Sequence, residues 1–214
     1  MKNVFRHIKG DKTIWAVVSL LALFSFLPVY SSSSNLAYLY GDGNTFKFLL
    51  KHLTHLILGF VILYGVHKVP YNYFKGLSVI ALPIVIILLI ITITQGVTID
   101  GANASRWIRI PIVGVTFQSS TLASVVLLTY IARYLSKIKD NTITFKESVL
   151  PLWVPVFLVL ILILPANLST AAIIFSMVIV LIFIGGYPVK YLLIILFTSL
   201  MFLSFFIVSA KAFP

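Results

Sequence analysis

Residues Ser148–Val189 read SVLPLWVPVFLVLILILPANLSTAAIIFSMVIVLIFIGGYPV, 42 residues without one Asp, Glu, Lys or Arg. As a single helix the stretch would run about 63 Å at 1.5 Å per residue, about twice the roughly 30 Å of hydrocarbon in a bilayer. It therefore holds two spans. Pro165-Ala166-Asn167 is the natural break, because proline ends one helix and the Asn167 side chain caps the next. A turn at that depth is tolerated only where it is buried in protein or faces a cavity.

The same test picks out Thr13–Gly41, Gly76–Ile99, Ile110–Ala132 and Tyr191–Ala210, and an amphipathic stretch at Phe48–Val66 adds one more. Seven helices are expected, over 14–30, 48–66, 77–95, 117–136, 149–164, 168–184 and 191–209, as one all-α, polytopic membrane domain covering 1–214. Composition agrees: 60% of the chain is apolar and 10% charged, against about 25% charged in a soluble domain. Disorder and a disulfide scaffold are excluded, the latter because there is no cysteine.

The +11 charge balance is scattered between apolar runs rather than clustered on a solvated face, so it marks topology and not a nucleic-acid partner. With the leader 1–12 in the cytoplasm, eleven of the sixteen Lys and Arg residues fall inside and five outside. That bias predicts an N-in, multi-pass protein, and the long first apolar run with no small-residue cleavage site predicts a retained helix rather than a signal peptide. The chain stops at the edge of a helix, so it is expected to be the N-terminal part of something longer.

The loop 96–117, GVTIDGANASRWIRIPIVGVTF, is then outside. Trp107 suits a membrane interface, and Arg106 and Arg109 suit a phosphate or carboxylate head group, which guanidinium binds bidentately. An interfacial anchor is the competing explanation of the same residues. Arg106 also has a structural alternative, a tie to Asp100 or to helix C-terminal carbonyls.

In the next helix Gln118, Thr121 and Ser124 stand at i, i+3 and i+6, which predicts a polar flank turned toward other helices or a wet cavity. Asn167, Ser169 and Thr170 are explained by capping. Lys51, His52 and His55 lack a nearby carboxylate or third ligand, so interfacial snorkelling is expected there and no metal site is proposed.

GANASRWIRIPIVGVTFQSSTLASVVLLTYIARYLSK resembles the signature of the SEDS family (FtsW, RodA and SpoVE), whose members carry Gly-x-x-Arg-Trp-Ile followed by Phe-Gln-Pro-Ser-Glu-Leu-Ala-Lys. LPANLSTA is similar to the family's Gln-Pro-Asp-Leu-Gly-Thr-Ala segment, and Tyr30–Ser34 resembles the division-type members.

The resemblance implies about ten transmembrane helices, of which about seven are present here. It also implies a peptidoglycan glycosyltransferase in the bacterial inner membrane that polymerises lipid II during division with a class B penicillin-binding protein and other divisome membrane proteins. The family's catalytic aspartate is expected beyond Pro214, so no catalytic residue is nominated. No cofactor is identifiable, although the full-length enzyme leaves room for a divalent cation.

Where the family has Glu, Lys and Asp, this chain has Thr121, Ser124 and Asn167. Losing one buried charge of a set would strand the others at about 3–5 kcal/mol. The joint change predicts a neutral hydrogen-bonded cluster of these three, extended by Gln118 and Thr170. A transporter of lipid-linked precursors or a non-catalytic scaffold are the alternative functions. The transporter would need polar groups through the whole membrane depth, whereas the polar positions gather toward one end.

Overall fold

The computed structural model describes residues 11–40, 45–96, 106–109, 116–138 and 144–212. The single domain expected over 1–214 divides into two compact units, Met1–Tyr71 and Asn72–Pro214.

The first unit contains α1 (Lys12–Phe24), α2 (Phe26–Tyr40) and α3 (Thr45–Val66). Asp11 caps α1, its carboxylate accepting from the Thr13 N–H at 2.7 Å. The helix expected to end at residue 30 instead continues as α2 through the serines 31–34. The interruption falls at Ser25, whose hydroxyl donates to the Ala22 carbonyl at 2.6 Å and lies 2.8 Å from His52 Nε2 on α3. His52 is thus a tie between helices, not a snorkelling side chain, and the Phe26 ring meets it edge-on at 5.1 Å. His55 turns back to the Lys51 carbonyl of its own helix at 2.6 Å.

The second unit contains α4 (Tyr71–Gln95), the strands β1 (Trp107–Arg109) and β2 (Thr116–Gln118), α5 (Ser119–Ile138), α6 (Phe145–Ser148), a π-helical turn (Val149–Trp153), α7 (Val154–Ile163), α8 (Leu168–Ile184) and α9 (Val189–Ala212). Among the described residues five helices are long and apolar enough to cross a membrane, counting α1 with the start of α2 and α6 with α7, and α8 and the stretch Val189–Phe202 of α9 add shorter apolar segments. The protein is a polytopic helical membrane protein.

The core is a stripe at four-residue spacing on α5, Ala123, Leu127, Ile131 and Leu135, packed with Val156, Val159 and Ile163 of α7 and Ile174, Val178 and Ile182 of α8. The π turn has a local cause. Pro151 lacks an N–H and crowds the carbonyl four residues earlier, so the ladder widens and the Val154 N–H reaches Val149. Pro155 lacks the N–H that an α-helix would send to the Pro151 carbonyl. The Tyr130 hydroxyl of α5 donates to that carbonyl instead, at 2.9 Å.

At the same end α8 closes with a Schellman motif: Gly186 takes φ +78, its N–H donates to Phe183 at 3.1 Å and the Tyr187 N–H to Ile182 at 3.2 Å. The turn delivers Tyr187 to the interior, 2% exposed. Trp153 Nε1–H donates to the Tyr187 hydroxyl at 3.3 Å, that hydroxyl donates to Ser148 Oγ at 2.6 Å, and Ser148 donates to the Phe145 carbonyl at 2.8 Å. Every member of this buried chain is satisfied.

Candidate functional site

The opposite end of the second unit holds the residues that the sequence singles out. β1 and β2 form an antiparallel ribbon with Trp107 opposite Gln118, Ile108 opposite Phe117 and Arg109 opposite Thr116. The loop is therefore not wholly irregular, and Gln118 belongs to a strand rather than to the first turn of α5. Trp107 is half-buried in the ribbon. Arg109 takes part through its backbone, while its side chain, and all of Asp100, lie outside the described residues.

Arg106 precedes β1, and its Nε donates to the Ala166 carbonyl at 2.8 Å. Ala166 lies in the turn between α7 and α8, where no helical N–H is available to its oxygen. A guanidinium beside the C-terminal end of α7 is also placed where the helix dipole favours a cation. Of the two ties considered for this arginine, the carbonyl tie is the one formed among the described residues.

Asn167 is the N-cap of α8, as expected: its side-chain oxygen accepts from the Thr170 N–H at 3.1 Å and from Ser169 Oγ at 2.7 Å. Arg106, Gln118, Ser119, Ala166 and Asn167, with Thr92 of α4, line a cleft of about 20 Å³, room for about one water. Thr92 and Ser119 are both buried, with their hydroxyls 2.8 Å apart, and Thr92 donates to the Leu88 carbonyl at 2.7 Å.

The neutral cluster of Thr121, Ser124 and Asn167 does not form. Ser124 Oγ donates to the Thr121 carbonyl of its own helix at 2.7 Å, and no hydrogen bond joins either residue to Asn167. Thr121 is exposed and Ser124 half-exposed. The reason is the phase of α5: its buried face is Ser119, Ser120 and Ala123, and the flank carrying Thr121 and Ser124 turns away. Of the expected polar set, Gln118 and Asn167 meet at the cleft, and Thr170 joins through the cap. Thr92 and Ala166 were missed. Thr92 stands at the polar end of an apolar run, near Thr94 and Gln95, and nothing in the sequence says which of these faces inward; a backbone carbonyl leaves no trace in sequence.

Beside this cleft, α7, α8 and α9 enclose an apolar groove of about 510 Å³. Leu164 and Leu168, on either side of the Pro165–Asn167 turn, line it, together with Phe175, Leu196 and Leu200.

Comparison with known proteins agrees with this architecture. A probable peptidoglycan glycosyltransferase FtsW of Geobacter sp. (strain M18) is 31% identical over 192 residues, covering 88% of this chain and 51% of the relative. The corresponding protein of Geobacter metallireducens is 28% identical over 211 residues, covering 98% of this chain and 54% of its own length. The chain thus spans about half the length of the curated relatives it matches.

The crystal structure of the Thermus thermophilus rod shape determining protein RodA superposes with a TM-score of 0.60 at 22% identity, over 85% of this chain and 58% of RodA. A chain from a peptidoglycan synthase complex that coordinates polymerization and crosslinking gives 0.61 at 21% identity, over 84% and 52%. These two likenesses show a shared fold. The family model for cell cycle proteins of the FtsW, RodA and SpoVE type matches residues 11–212, and the chain belongs to that family.

Proposed function

We propose that this chain forms the membrane-embedded part of a peptidoglycan glycosyltransferase that polymerises lipid II during cell division. The carrying observation is that one turn serves two chemistries. The Ala166 carbonyl holds Arg106 at the cleft, and Leu164 and Leu168 on either side of it open the apolar groove. Lipid II has the matching parts, a pyrophosphate and a polyprenyl tail. With Nε held, the Nη groups provide the fork for phosphate oxygens at the mouth of the cleft, which is too small to take the pyrophosphate inside. The tail lies along the groove, and Trp107 sits at the interface.

The loop then faces outward from the bacterial plasma membrane and the N-terminus lies inside, in line with the Lys and Arg bias. A class B penicillin-binding protein is the proposed partner, supported by the likeness to a chain from a synthase complex. Against a transport path, the far end of the second unit is packed by Trp153, Tyr187 and Leu135 among the described residues.

The test is lipid II polymerisation by the natural gene product, reconstituted with its penicillin-binding partner. Replacing Arg106 with alanine should slow polymerisation by at least about tenfold, the cost of one charged contact of about 1.4 kcal/mol. An unchanged rate would remove Arg106 from the donor site.

A further inference from the structure

The ribbon that ends at the cleft has two unlike faces. Residues directly opposite each other in an antiparallel pair stand on the same face, and alternate residues of one strand share it. Trp107 opposite Gln118 therefore sets one face, and Thr116, two positions before Gln118, joins it. Ile108 opposite Phe117 gives the other face an apolar pair.

Trp107, Thr116 and Gln118 are half-buried, which leaves them within reach of a ligand. Among the described residues no hydrogen bond is made by the Trp107 indole N–H, the Thr116 hydroxyl or the Gln118 carboxamide. The polar side chains next to them are engaged: Thr92 with Ser119, and Asn167 with the first turn of α8. One face of the ribbon thus carries an aromatic ring and two uncharged groups that donate and accept hydrogen bonds, all unspent.

That set complements a pyranose, which has an apolar C–H face and hydroxyls that both donate and accept. An interfacial anchor would account for the indole and would leave Thr116 and Gln118 without a role. The face is also continuous with the place proposed for the pyrophosphate, because Gln118 lines the cleft together with Arg106 and Asn167.

We infer that the Trp107, Thr116 and Gln118 face is the saccharide subsite for the lipid-linked donor and takes the N-acetylated sugar bonded to its pyrophosphate. The Trp107 ring stacks on the C–H face of the sugar. The Gln118 carboxamide pairs with the N-acetyl group, accepting from its N–H and donating to its carbonyl, and Thr116 bonds a ring hydroxyl. The inference rests on the glycosyltransferase reading and adds a third recognition element to it: Arg106 reads charge, the groove takes the tail, and the ribbon reads carbohydrate.

The test measures the affinity of the natural gene product, purified in detergent, for two ligands. Lipid II carries the saccharide, and undecaprenyl pyrophosphate has the same pyrophosphate and tail without it. Gln118→Met and Trp107→Phe, which keep an extended or aromatic side chain in the strand, should each weaken lipid II binding about tenfold, the effect of roughly one hydrogen bond. Thr116→Val should weaken it about threefold. All three should bind undecaprenyl pyrophosphate as the parent does, whereas Arg106→Ala should weaken both ligands.

Equal losses for the two ligands would make these residues structural and overturn the saccharide assignment, as would lipid II binding that none of the three changes alters. Weaker binding of a glycan strand with lipid II binding intact would give the face to the acceptor and overturn the donor assignment. A parent protein that binds neither ligand would overturn the glycosyltransferase reading, and this subsite with it.

Discussion

Arg106 and Ala166 stand sixty positions apart in the chain and are joined by one hydrogen bond, Nε to carbonyl oxygen, at 2.8 Å. That bond fastens the ribbon β1–β2 to the turn between two membrane helices. Hydrogen bonds from charged donors contribute about 1.5–3 kcal/mol. Arg106→Ala should therefore lower the unfolding midpoint in detergent and speed amide exchange at Ile108 and Phe117 of the ribbon. Unchanged exchange there would show that the ribbon holds without the tie.

Asn167 caps α8 through its side-chain oxygen, a role that a carboxylate fills equally well. Asn167→Ala should cost about 1 kcal/mol. Asn167→Asp should leave stability equal or higher, since an anion at a helix N-terminus beside the Arg106 guanidinium is favourable. Chemical denaturation of the three proteins in the same micelle checks the order.

Tyr130 donates to the Pro151 carbonyl because Pro155 has no N–H to offer it. Tyr130→Phe should cost about 1 kcal/mol. In a Pro155→Ala background the helix regains that N–H, so the same change should cost measurably less. A double-mutant cycle in which the two changes add would separate them.

A Cβ on Gly185 would meet Leu135 Cδ1 at 2.6 Å, while the backbone at Gly185, φ −71, suits any residue. Gly185→Ala should thus cost about 1 kcal/mol or more through overpacking alone. With Leu135→Ala beneath it the penalty should vanish, read as a midpoint no lower than that of Leu135→Ala by itself.

The apolar spans and the break at Pro165–Asn167 were legible because lengths and breakers are local properties. The Asn167 cap was legible for the same reason. Two boundaries were not. The serines 31–34 stay helical in the structure, and Gln118 is claimed by a strand whose partner, Trp107, is eleven positions away. The polar flank of Thr121 and Ser124 failed because helical spacing shows which residues share a face, not which face is buried. Neighbours four apart, from Ala123 to Leu135, decided that. The contacts that build the cleft, Arg106 with Ala166 and Thr92 with Ser119, join distant segments, and no periodicity carries such pairings.

The turn at Val149–Trp153 spends five residues where four would close an α-helical turn. It behaves as an inserted residue that the helix absorbed without rotating either flank. Ser148 on one side, Leu152 within the turn, and Val156, Val159 and Ile163 on the other side all remain in the interior. Deleting one residue within 149–153 would restore ordinary winding and leave both flanks in phase. A deletion in α8, where the winding has no slack, would swing every later side chain by about 100°.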